Sequence, residues 1–281
     1  MSDHRPIGVF DSGLGGLTVV RELMRLMPDE QVIYLGDCAR CPYGGRSNET
    51  IRRFALEDAS FLYERGVKML IVACNTVSSV ALDLLSDTFP EVPVIGVVLP
   101  GARAATLRTA EKRIGVIGTQ ATIRAGSYPK AIRELDEHIV VHGRACPLLV
   151  PFVEEGMVDG TLTRQVVQHY LYELVDTGID TLILGCTHYP LLMGIIQETV
   201  GTRIQLIDSA YWTAREARDI LLNCAAGAEP DGKEGGSVFV FSDLVPSLEE
   251  RAARFLGRSP DTVETVTLDE LARGAVRSTA V

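Results

Sequence analysis

The sequence predicts an α/β protein of mainly parallel sheets covered by helices. Three observations lead there. Short apolar runs rich in Val and Ile recur along the chain, bounded by Gly, Pro or polar residues, the pattern of strands buried on both faces. Segments with helical spacing separate them, and strand–helix alternation of this kind builds parallel sheets. The chain has 281 residues and 46% hydrophobic content, enough for one large domain or two medium ones.

Taken in order, "IGVF" (7–10) reads as the first buried strand. Gly13, Gly15 and Gly16 then let the chain turn tightly into a helix over 17–27, where Val20, Leu23, Met24 and Met27 share a face. Strands follow at 32–36, 69–73, 92–98, 113–118, 138–143, 181–185 and 203–208. A weak echo runs through them. "IGVFDSGLGG" starts at Ile7 and "IGVIGTQATI" at Ile114, while Cys74 and Cys186 are 112 apart. Two similar units explain both offsets; so does the general likeness of α/β chains. A polar, Gly-rich connection (227–236) precedes a strand at 237–243 and an amphipathic helix at 247–257. One strand–helix pair cannot fold alone, so this tail is expected to dock on an earlier unit.

Composition narrows the function classes. The net charge of −10 and the lack of a long basic run disfavour nucleic-acid backbone binding. No apolar run reaches the roughly 18–20 residues of a membrane span. "MSDHRPIGVFDSG" shows no basic segment followed by an apolar stretch, so a cytoplasmic location is expected. Six cysteines in such a chain do not suggest a disulfide framework. Cys38 and Cys41 form a C-x-x-C, but a structural zinc site wants a second pair at matching spacing. None exists, so no metal is expected; a redox pair or two ordinary loop thiols are the other readings.

Ligands of open parallel sheets sit beyond the carboxyl ends of the strands, which singles out four loops. In "FDSGLGGLT" (10–18) Asp11 and Ser12 read as a cap with flexible glycines, or the loop as a phosphate cradle of neither the Walker nor the G-x-G-x-x-G type. In "GDCARCPYGG" (36–45) a turn presents Tyr43 and bare amides to an anion, or is only surface. The other two are "ACNT" after 69–73 and "GCTH" after 181–185. A single Cys is more often a small buried hydrophobe. Two, each ending a strand and followed by Asn75-Thr76 or Thr187-His188, suggest a paired site, with a helix N-terminus able to stabilise a thiolate.

Five motifs in order, "IGVFDSGLGGLTV", "YLGDCARCPYG", "IVACNTVSS", "CPLLVPFVEEG" and "LGCTHYPLL", closely resemble the glutamate racemase family. The resemblance implies two pseudo-symmetric domains, 1–97 with 209–281 and 98–208, with the active site in the cleft between them. It implies racemisation of glutamate without a cofactor, a role in peptidoglycan synthesis, and a homodimer. It assigns catalysis to Cys74 and Cys186, assisted by Asp11 on one side and by Glu154 and His188 on the other. Substrate contacts implied are Asp11, Ser12, Tyr43, Gly44, Asn75, Thr76, Thr187 and His188, with Thr119 and Thr122 less firmly matched. Cys38 stands where the family more often has a polar residue.

The chemistry wants two thiols. Racemisation removes a proton from one face of the α-carbon and returns one to the other, so two bases sharing one proton fit it. Ionising an ordinary thiol at pH 7 costs about 2 kcal/mol, of which a helix N-terminus offsets about 0.3–1 kcal/mol. Asp11 raises a neighbouring thiol's pKa, so it is read as a proton acceptor or a partner of the substrate ammonium. An aspartate or hydantoin racemase, a thiol hydrolase using one Cys with His188, and a non-enzymatic protein-binding regulator are the competing readings.

Overall fold

The computed structural model describes residues 3–224, 236–244 and 247–278. The expected connection at 227–236 lies, except for Gly236, outside them. The chain opens with β1 (Ile7–Asp11), α1 (Leu17–Leu26), β2 (Val32–Gly36), α2 (Asn48–Glu64) and β3 (Met69–Val72). It continues with α3 (Asn75–Val80), α4 (Leu82–Thr88), β4 (Val94–Gly96) and α5 (Val98–Arg108). A second run comprises β5 (Arg113–Gly118), α6 (Gln120–Ala125), α7 (Ser127–Leu135), β6 (Val140–Ala145), α8 (Leu149–Glu154) and α9 (Thr161–Asp176). It ends with β7 (Thr181–Gly185), α10 (Met193–Val200) and β8 (Gln205–Asp208). The tail holds α11 (Ser209–Asn223), β9 (Val238–Phe241), α12 (Leu248–Leu256), β10 (Thr262–Thr265) and α13 (Leu268–Ser278).

Two parallel sheets result, ordered β10-β9-β2-β1-β3-β4 and β6-β5-β7-β8 among the described residues. The runs β2-β1-β3-β4 and β6-β5-β7-β8 repeat one order, with Cys74 just past the third strand of one and Cys186 just past that of the other. The sequence echo at Ile7 and Ile114 marks the equivalent strands β1 and β5. The tail docks as expected: β9 pairs with β2, and β10 with β9.

The central strands β1, β3 and β7 are buried along their whole length, which is why they read so clearly. The expected strand at 92–98 shrinks to Val94–Gly96, because Val98 opens α5; an unbroken apolar run does not distinguish a strand from a buried helix start. The strand expected at 138–143 begins at Val140, after Ile139 has closed a turn on the Asp136 carbonyl. One apolar cluster includes Ile7 and Leu17 of the first sheet's layer, Leu149 and Leu182 of the second, and Phe255 of α12. Among the described residues no helix is long and apolar enough to cross a membrane.

Candidate active site

Both sheets present their carboxyl ends to a shared cavity of about 350 Å³, at the small end of the range for ligand pockets. Cys74 and Cys186 both line it. Each is almost wholly buried, at 5% and 6% exposure, so each sulfur meets the cavity and little else of the solvent.

Cys74 sits at the N-cap of α3, a helix of six residues. Its Sγ donates to Ser12 Oγ at 3.6 Å. Burial first, and then the Asp11 carboxylate, push the thiol up to about 12, against the weaker pull of the Val77 amide. Ionising it at pH 7 therefore costs roughly 7 kcal/mol at about 1.4 kcal/mol per unit, while a helix N-terminus returns at most about 2 kcal/mol. A helix N-terminus therefore does not by itself hold Cys74 as a thiolate against burial and Asp11.

Asp11 has no exposed surface and lies behind the cavity wall rather than on it. It accepts from the Gly13 amide at 3.0 Å and from Thr187 Oγ1 at 3.4 Å. Burial raises its pKa, with His188 and the amides of Gly16 and Gly13 opposing. Asp11 is not a helix cap, since Gly16 precedes α1 without a side-chain cap. Nor are the loop glycines there for flexibility. A Cβ on Gly15 would lie 2.2 Å from Thr187 Oγ1 and 2.7 Å from His188 Nδ1. Space is what the position demands: the loop after β1 passes against the loop after β7.

Cys186 is furnished differently. Its Sγ lies 3.9 Å from His188 Nδ1, and His188 Nε2 donates to Glu154 Oε1 at 2.5 Å. The other Glu154 oxygen accepts from Arg251 of α12. For His188 burial favours the neutral ring, but Cys186 and Glu154 outweigh it and raise the pKa to about 10. For Glu154 burial works upward and is outweighed by His188 and Arg251, leaving the carboxyl below its usual range. The helix expected after Cys186 is only a 3₁₀ turn, Tyr189–Leu192.

Polar donors surround the thiols. Tyr128 Oη donates to Asn75 Oδ1 at 2.7 Å, while Asn75 Nδ2 is buried with no partner among the described residues. The hydroxyls of Thr76 and Thr119 are 2.9 Å apart, and that of Thr122 is 3.0 Å from Thr119. Tyr43 lines the cavity, but its hydroxyl donates to Asp58 Oδ2 at 3.0 Å and to Asp37. Arg40 binds both carboxylates and Glu57 behind it. The loop is thus a rigid wall, and the Gly44 carbonyl ties it to α6 by accepting from the Ala121 amide at 3.0 Å.

The geometry can be set beside known proteins. A family model described as Asp/Glu/Hydantoin racemase matches residues 7–217. The chain belongs to the Asp/Glu/hydantoin racemase family. A glutamate racemase of Geobacter metallireducens is 46% identical over 94% of this chain and 97% of its own length. The structure of a Francisella tularensis glutamate racemase in complex with D-glutamate superposes with a TM-score of 0.90. It is 37% identical and matches over 95% of this chain and 99% of that one. Glutamate racemase isoform RacE1 of Bacillus anthracis also gives 0.90, at 44% identity over 95% and 98%.

Within this racemase-family site, ten of the eleven residues expected there line one cavity, and Asp11 stands directly behind. Thr119 joins the lining and Thr122 bonds to it from beneath. Cys41, Gln120, Pro147, Val150 and Pro151 line it too and were not expected. Cys41 belongs to the C-x-x-C read as a loop feature. Among the described residues no group of three His, Cys, Asp or Glu is placed to hold a metal ion.

Proposed function

We propose that this chain interconverts L- and D-glutamate by two-base proton transfer between Cys74 and Cys186, supplying D-glutamate for peptidoglycan. The observation that carries the reading is that both strand-end thiols face one small cavity, with His188 Nδ1 3.9 Å from Cys186 and the Asp11 carboxylate near enough to raise Cys74. One thiol removes the α-proton and the other delivers a proton to the opposite face. When Cys186 is the base, its proton rests on His188. When Cys74 is the base, its proton passes to Asp11, whose raised pKa makes it a better acceptor than an ordinary carboxylate.

The carbanion formed between the two steps needs oriented donors around the substrate carboxylate. Asn75 Nδ2 has no partner among the described residues, and Ser12, Thr76 and Thr187 line the same cavity. Similarity to glutamate racemases over nearly the whole chain supports glutamate as substrate. A cytoplasmic location and a homodimer, both implied by the resemblance, belong to the same reading; sedimentation velocity checks the dimer.

The test is incubation of L-glutamate with the protein in heavy water, with no cofactor added. Optical rotation should fall to zero while deuterium enters the α-position. A protein that leaves both unchanged is not a glutamate racemase. Repeating the incubation with aspartate separates the two acidic substrates.

A further inference from the structure

The proton acceptor of Cys186 ends in a residue from the far tail of the chain. Glu154 closes α8, and Arg251 lies on α12, whose neighbouring strand β9 belongs to the other sheet. Phe255 of the same helix packs edge-on against His188, ring centroids 5.2 Å apart. We propose that Arg251 is a positioning residue for the Cys186 half-reaction: it holds the Glu154 carboxylate ionised and rotationally fixed, so that His188 always presents Nδ1 to the sulfur. The proposal rests on the racemase reading above.

The argument is one of donors and acceptors. A neutral imidazole has one N–H and one lone pair. An ionised Glu154 only accepts, so the N–H must sit on Nε2, and Nδ1 is left to take the Cys186 proton. Were Glu154 protonated or swung away, the ring proton could move to Nδ1 and that lone pair would be lost. Arg251 occupies the second carboxylate oxygen and prevents both. Apart from His188 and Arg251, no basic group is hydrogen-bonded to Glu154 among the described residues. His188 faces it on the reacting side, while Asp11 from β1 and Cys38 and Cys41 from the loop after β2 lie farther off. When Cys186 acts as base, its proton moves from Sγ to Nδ1, giving thiolate and imidazolium. When it acts as acid the same proton returns, and Nε2–H never leaves Glu154.

Arg251→Gln tests this. The equilibrium constant between enantiomers is one, so kcat/KM must fall equally in both directions. We expect about a tenfold fall carried by kcat, with KM little changed. For the enantiomer whose proton Cys74 removes, deuterium exchange relative to inversion should rise, because the carbanion returns to Cys74 more often than it is quenched by Cys186. For the other enantiomer the ratio should stay level or fall. Arg251→Lys, which keeps the charge, should recover most of kcat. Arg254→Gln, on the same helix but paired with Glu250 and packed against Gly156, should leave both readouts as in the parent protein. A normal kcat in Arg251→Gln overturns the proposal. So does an equal loss in Arg254→Gln, or a proportional fall in exchange and inversion for both enantiomers. A parent protein that does not racemise glutamate overturns the underlying function instead.

Discussion

The loops after β3 and β7 occupy equivalent places in two sheets of the same strand order, yet they are furnished for different chemistry. The first sets Cys74 beside Ser12, with a buried carboxylate, Asp11, behind. The second sets Cys186 at the head of a chain of imidazole, carboxylate and guanidinium. A repeated backbone puts the sulfurs in matching positions; the side chains beneath decide where each proton rests. Burial and Asp11 favour the protonated sulfur on the Cys74 side, while Cys186 and Glu154 favour the charged form of the His188 ring on the other. A site of two identical halves would put two like charges, or none, on the substrate at once.

The sharpest test of this comparison is to remove one sulfur at a time. Cys74→Ser and Cys186→Ser should each lower racemisation by at least about 10³-fold, within the range typical of lost acid–base groups. Each should still exchange the α-proton of one enantiomer in heavy water, and of opposite enantiomers in the two variants. Exchange of the same enantiomer by both would break the two-sided picture; proton NMR reads it directly. Next comes the place where the halves touch. Gly15→Ala should cost about 10²-fold in kcat, since displacing Thr187 and His188 by an ångström is enough for that. Its circular dichroism should match the parent protein.

The charge difference gives a third, through stability. The folded pKa of His188, about 10, exceeds the ordinary 6.5. Its contribution is therefore complete below about pH 6.5 and is lost as pH rises toward 10, at up to about 1.4 kcal/mol per unit. Urea titrations should show stability falling across that window, and His188→Gln should flatten the slope. The smallest effect concerns another contact between halves. Tyr128→Phe frees the Asn75 amide to turn and should raise KM about threefold to tenfold, the worth of one hydrogen bond. An unchanged KM would mean that the amide is fixed by its packing alone.

Much of this arrangement was legible in the sequence, for physical reasons that differ by residue. Cys74 and Cys186 could be read because fully buried strands are unbroken apolar runs, and a polar residue at their ends stands out. The edge strand β10, "TVET", could not, because its Thr and Glu residues lie at the sheet margin and carry no apolar run. Tyr43 was read as presented by a turn to an anion, or as surface; it lines the cavity, but that its hydroxyl joins a buried cluster of Asp37, Arg40 and Asp58 could not be read. Arg251 was invisible for a third reason. A basic residue on an amphipathic helix looks like a solvated face, and its partner stands almost a hundred positions earlier. Local pattern carries strand ends; it does not carry pairings that only tertiary packing creates.

The insertion of β9 against β2 has a consequence for synthesis. Strands β1 to β4 leave the ribosome early, but β2 keeps an unpaired edge until the segment from Val238 onward has been made. Such open edges invite pairing with other chains. A premature stop ahead of Val238 would release a chain with that edge exposed and with Glu154 lacking its guanidinium, so truncated products should be both sticky and inert.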